Sequence, residues 1–127
     1  MKIEYKGGTK FSGYSRGHSI AIDLPEEMGG SDTGLMPGEL LLASLGTCMG
    51  VYITRYCKTA GIDCEGMTID LSSERAEDPA RIGSIRAMVK IPGGVPEDRR
   101  TAVIKVAEHC LIHETLRNAP ELTIEME

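Results

Sequence analysis

The chain has no tryptophan and a single phenylalanine, and aromatic residues make up only 4% of its 127 positions. A core without large rings has to be built from Leu, Ile, Val and the seven methionines, a soft mixture that suits an ordinary core or an apolar ligand pocket. Positive charge is also in short supply: 14 Lys and Arg stand against 19 Asp and Glu, for a net charge of −5. That balance argues against nucleic acid or an anionic membrane as the main partner, because both select basic surfaces. No two cysteines stand in a Cys-x-x-Cys pair, which argues against a structural zinc knuckle. The opening residues Met1–Gly8 contain no apolar run of the kind that a secretory signal needs, and no lipidation motif. The expectation is a cytoplasmic protein, in which four cysteines read as catalytic, redox-active or inert rather than as a disulfide framework. The length suits one domain spanning residues 1–127.

Charge is missing in one further place. Between Glu39 and Arg55 no residue is charged, which marks Pro37–Thr54 as the segment around which the rest is organised. Pro37 suits the first position of a helix, and Glu39 complements the positive end of its dipole. The run is shorter than the roughly 20 residues that cross a bilayer, so the expectation is a buried core helix extending to about Thr59, with Gly61 as its stop. At about 100° per residue, Leu41, Leu45, Cys48 and Tyr52 share one stripe. Gly46 and Gly50 each weaken a helix by roughly 1 kcal/mol relative to Ala, which implies a close backbone approach beside Cys48.

Before this helix, Lys2–Lys6, Lys10–Tyr14 and His18–Leu24 alternate as three short antiparallel strands, with Gly7-Gly8 as a turn and Pro25–Met36 as a loop. After it, Glu65–Ser73 and Ser84–Ile91 form a second hairpin across a charged connection, Glu74–Arg81. Glu97 and Asp98 open a second helix in which Val103, Val106 and Cys110 share the core-facing stripe. Glu121–Glu127 alternates as a last strand. The order βββ-α-ββ-α-β defines an α+β fold.

Cys48 and Cys110 each fall on the buried stripe of their own helix, so the two thiols can meet as a peroxidatic and a resolving cysteine; the plain alternative is a pair of small core hydrophobes. His109 and His113 flank Cys110 at helical spacing, but no third metal ligand can be placed, and packed or solvated histidines fit better. A reactive thiolate needs a cation nearby, and Arg16, in Ser15-Arg16-Gly17-His18, is the N-terminal arginine that could supply it; a solvated loop charge is its bland reading. Cys57 and Cys64 flank the Gly61 turn, have no partner by pattern, and read as structural.

The segment Met36-Pro37-Gly38-Glu39-Leu40-Leu41-Leu42-Ala43-Ser44-Leu45-Gly46-Thr47-Cys48 resembles the first motif of the OsmC/Ohr family, and Ala107–Leu116 resembles its second, around Cys110. The resemblance implies an intertwined α+β homodimer with long central helices and two active sites at the subunit interface. It also implies a thiol peroxidase that reduces organic hydroperoxides at the expense of a dithiol reductant, with Cys48 peroxidatic and Cys110 resolving, no metal and no organic cofactor. Arg16 corresponds best to the arginine that holds the thiolate in related enzymes. Two positions depart from the pattern. Gly38 stands where the best-understood peroxidases carry the Arg-pairing Glu, which leaves Glu39 as a possible support or as a helix-start residue. Leu111 stands where they carry Pro after the second cysteine. The alternative to a peroxidase is an OsmC-like protein that binds a small or thiol-bearing ligand without turnover.

Overall fold

The computed structural model describes residues 1–127, which fall into two compact units, Met1–Ala43 and Ser44–Glu127.

The first unit is built on a three-stranded antiparallel meander, β1 (Lys2–Tyr5), β2 (Phe11–Ser15) and β3 (His18–Ile22), in that spatial order. Gly7 and Gly8 take the positive φ angles that turn β1 back into β2. The β2–β3 link is a two-residue hairpin in which Ser15 faces His18 and both Arg16 (φ 50°) and Gly17 (φ 81°) are left-handed, the type I′ geometry that matches strand twist. The following loop is not the featureless connection that its composition suggests. Its organiser is Asp23, only 1% exposed, whose carboxylate accepts from Thr9 Oγ1 (2.6 Å), Thr33 Oγ1 (2.7 Å) and the backbone N–H groups of Leu24 (2.8 Å), Thr33 (3.1 Å) and Ser31 (3.2 Å). The two threonine hydroxyls, helped by the Thr33 and Leu24 amides, outweigh burial and hold the Asp23 carboxyl well below the usual carboxylate range. Around this knot the chain makes a short 3₁₀ turn, Glu26–Met28, and a parallel bridge between Ile22 and Leu35.

The long helix α1 runs Pro37–Ala60. The Met36 carbonyl accepts from the Leu40 N–H at 3.0 Å, and the Glu39 carboxylate accepts from the Met36 N–H at 2.8 Å. Met36 is therefore the N-cap, Pro37 the first helical residue, and Glu39 the reaching-back residue of a capping box. By length and composition α1 could cross a membrane, yet part of its surface is core: Leu45, Gly46, Met49, Ile53 and Cys57 are buried. The buried stripe thus follows 45, 49, 53 and 57. It is displaced from the expected 41, 45, 48, 52 line, and Cys48 and Tyr52 lie half-buried at its edge.

In the second unit α1 packs on a two-stranded antiparallel hairpin, β4 (Thr68–Ala76) and β5 (Arg81–Lys90). Both strands extend further toward the turn than hydrophobic alternation indicates, since the charged residues Glu74 and Arg75 pair across the ladder although they bury nothing in the core. Ile69, Leu71, Ile85, Ala87 and Val89 supply the apolar face against α1. The close backbone approach expected at the helix glycines is not found; the crowding is by a side chain and at Gly46 alone, where a Cβ would lie 2.5 Å from Leu71 Cδ1, whereas one on Gly50 would meet Ile69 and Met67 at ordinary contact distances of 3.6 and 3.8 Å.

Two features depart from the sequence expectation. The second helix is two helices, α2 (Glu97–Glu108) and α3 (Leu111–Arg117), with the chain breaking at His109 and Cys110. The last strand is absent, and Asn118–Glu127 has no regular structure. Leu122, Ile124 and Met126 are 84, 95 and 97% exposed, because alternation supplies an apolar face but a strand also needs a neighbouring edge for its N–H and C=O groups.

Candidate active site

Cys48 and Cys110, remote in sequence, come together in the second unit. Cys48 stands on α1 at the edge of the buried stripe and packs against the core cluster in which Cys110 is fully buried, close enough for the two thiols to influence each other. All four cysteines are free thiols. The break between α2 and α3 makes this meeting possible. Cys110 has an extended backbone (φ −68°, ψ 150°) and acts as the N-cap of α3, its Sγ accepting the His113 N–H at 3.3 Å. Burial pushes the Cys110 thiol upward, the amides of His113 and Ile112 pull against it, and the Cys48 thiol adds to the rise. Cys110 is thus a neutral, buried thiol at neutral pH. Leu111 occupies the first position of α3, the place in a helix where proline is best tolerated.

The remaining candidates are placed differently. Arg16 is exposed at the tip of the β2–β3 hairpin in the first unit. Glu39 is engaged at the start of α1 with the Met36 N–H, which is a helix-start role. His109 Nδ1 sits 2.6 Å from the Lys105 carbonyl oxygen, and His113 Nδ1 is buried without a hydrogen-bond partner. No cluster of three or more His, Cys, Asp or Glu side chains is placed to hold a metal ion.

Pattern reading missed one pairing. Cys57, 1% exposed at the end of α1, lies in the core cluster against which the half-buried Cys64 packs. The signal was the Gly61 reversal itself, which returns the chain along the helix end it has just left.

A strand meander, a long helix beginning at a Pro-Gly-Glu cap, and two thiols meeting from α1 and the α2–α3 break define an OsmC-type architecture. The chain belongs to the OsmC-like protein family, whose model matches residues 29–125. No curated protein matches the sequence significantly. Among solved structures, a Psychrobacter arcticus protein named for osmotic stress induction and detoxification response superposes with a TM-score of 0.82 at 22% identity, covering 90% of this chain and 85% of that one. An organic hydroperoxide resistance protein OsmC from Legionella pneumophila superposes with a TM-score of 0.69 at 18% identity, with coverages of 91% and 88%. A Vibrio cholerae protein named for organic hydroperoxide resistance, with captopril bound in one of its active sites, gives 0.63 at 17% identity, with coverages of 92% and 83%. At these identities the likeness concerns the fold.

Proposed function

We propose that the chain is a cysteine-based peroxidase that reduces organic hydroperoxides. The observation that carries this reading is the packing of Cys48, at the edge of the core, against the cluster that holds the neutral, buried thiol of Cys110. In the proposed cycle the Cys48 thiolate attacks one peroxide oxygen and the O–O bond breaks. The alcohol leaves with a proton, and Cys48 becomes a sulfenic acid. The Cys110 sulfur then gives up its proton and attacks the Cys48 sulfur, water departs, and a Cys48–Cys110 disulfide remains. A dithiol reductant restores both thiols by two exchanges. The chemistry calls on no metal or organic cofactor.

A thiolate about three turns into a helix gains little from the helix N-terminus, whose influence fades within the first turn. Arg16 is the proposed cation, delivered by the type I′ hairpin tip, with Gly38 supplying no carboxylate to steady it and Glu39 committed to the helix cap. We assign the active assembly as a homodimer in the cytoplasm. The bare apolar side chains of Leu122, Ile124 and Met126, and of Val51 at 41% exposure on α1, support a second copy as their cover.

The test is turnover of an organic hydroperoxide with a dithiol as reductant. Wild type consumes peroxide rapidly and catalytically, Cys48→Ser loses all but slow consumption by the remaining thiols, and Cys110→Ser performs one turnover at Cys48 and leaves it trapped as a sulfenic or sulfinic acid. In Arg16→Ala, alkylation of Cys48 at neutral pH slows several-fold. Equal activity in the two cysteine variants would remove the assigned roles. Captopril bears a thiol, so its presence in the Vibrio cholerae relative favours a second reading in which the site holds a thiol-bearing ligand without turnover; saturable captopril binding with no peroxide consumption would select it.

A further inference from the structure

The second cysteine pair lies outside the chemistry above, and its geometry is closely determined. Helix α1 ends in a Schellman motif: Gly61 takes φ 69°, and the Ile62 N–H donates to the Cys57 carbonyl at 2.9 Å. The next residues are equally fixed. Asp63 Oδ1 accepts the Glu65 N–H at 2.9 Å, the Cys64 carbonyl accepts the Met67 N–H at 3.0 Å, and Gly66 turns the chain at φ 73°. This hydrogen-bonded reversal sets Cys64 against the core cluster that contains Cys57, close enough for the two thiols to influence each other. Two free thiols at the two ends of one hydrogen-bonded turn and packed into one cluster, one buried and one half-exposed, are placed for an intrachain disulfide.

We propose that Cys57 and Cys64 form a second redox couple, separate from Cys48 and Cys110, which an organic hydroperoxide oxidises to a disulfide linking the end of α1 to the approach to β4. Cys64 is the entry point because solvent reaches it. Its thiolate attacks a peroxide oxygen, the O–O bond breaks, the alcohol leaves with a proton, and Cys64 becomes a sulfenic acid. Cys57 then loses its proton and attacks the Cys64 sulfur; the S–O bond breaks and water departs. Two thiols and one hydroperoxide give one disulfide, one alcohol and one water. Burial, reinforced by the Cys64 thiol, pushes Cys57 up to about 12, so it waits as a neutral thiol and acts second. Along the helix axis Cys57 lies roughly 13 Å from Cys48, too far for direct thiol exchange, so the two couples oxidise independently.

The experiment uses the full chain carrying Cys48→Ser and Cys110→Ser, which leaves only Cys57 and Cys64. The reduced protein is treated with tert-butyl hydroperoxide, denatured, alkylated and mapped by mass spectrometry. The expected result is loss of both free thiols and a Cys57–Cys64 cross-linked peptide in the monomeric chain, reversed by dithiothreitol. Two alkylated cysteines, a Cys64 sulfinic or sulfonic acid, or a cross-link between chains would each overturn the proposal. Should that double variant fail to fold, the map of otherwise wild-type protein decides: the Cys57–Cys64 peptide is present, and it is absent in Cys64→Ser. Since this readout ignores Cys48 and Cys110, it stands or falls apart from the peroxidase reading.

Discussion

Asp23 and Cys110 are both buried, and their surroundings push them to opposite charge states. Asp23 collects five hydrogen-bond donors and remains an anion; Cys110 has two amides near its sulfur, less than burial demands, and remains a neutral thiol. For Asp23 the consequence can be measured. Its folded-state value lies below the ordinary 3.8, so the stabilisation it contributes is complete above that pH and is lost as pH falls through the folded value. Asp23→Asn keeps the size but loses the charge. Thermal melts should show a drop of several degrees at pH 7 and a wild-type-to-variant gap that narrows below pH 4. A gap that is constant across pH would mean that the five contacts do not favour the ionised form. The sign is opposite for Cys57: its raised value adds stability below the ordinary thiol range, and that contribution is lost as pH climbs toward 12.

At the scale of elements, the two glycines of α1 separate helix propensity from packing. Gly50→Ala gains helix propensity, and its new Cβ meets Ile69 and Met67 at ordinary distances, so it should stabilise the chain by about 1 kcal/mol. Gly46→Ala has the same gain but drives a methyl group into Leu71, and overpacking of roughly 1–3 kcal/mol outweighs it, for a net loss of about 1 kcal/mol. Urea denaturation of the two variants checks the order; a more stable Gly46→Ala would show that Leu71 moves aside freely. Glycine in an otherwise good helix pattern made crowding beside α1 legible in the sequence, but not that the Leu71 side chain supplies it. Strand and helix types were legible for the same reason, since periods of 2 and 3.6 are written in Ile20, Ile22, Ile69 and Leu71 and along α1. What stayed hidden depends on contacts remote in sequence or on turns without an apolar pattern. Asp23 looked like the polar side of a strand because its partners at Thr9 and Thr33 are distant. The α2–α3 break has no glycine or proline to announce it, since Leu111 fills the slot where proline would have marked a new helix.

For the whole molecule, the ten C-terminal residues 118–127 carry an alternating apolar face with nothing in their own chain to cover it. If a second copy covers it, sedimentation at micromolar concentration gives a dimer, and replacing Leu122, Ile124 and Met126 together by Ser shifts the protein toward monomer while the fold of the second unit survives by circular dichroism. A wild-type monomer would contradict the dimer. The dimer and the cysteine assignments are independent predictions, because the Cys48–Cys110 contact lies within one chain.

The most direct measurement on the central claim is a disulfide map of the reduced protein after one equivalent of an organic hydroperoxide. The account predicts a Cys48–Cys110 linkage in wild type, Cys48 sulfenic or sulfinic acid in Cys110→Ser, and an intact Cys110 thiol in Cys48→Ser. A Cys48 thiol that is still free and alkylatable in wild type after the peroxide is consumed would contradict it.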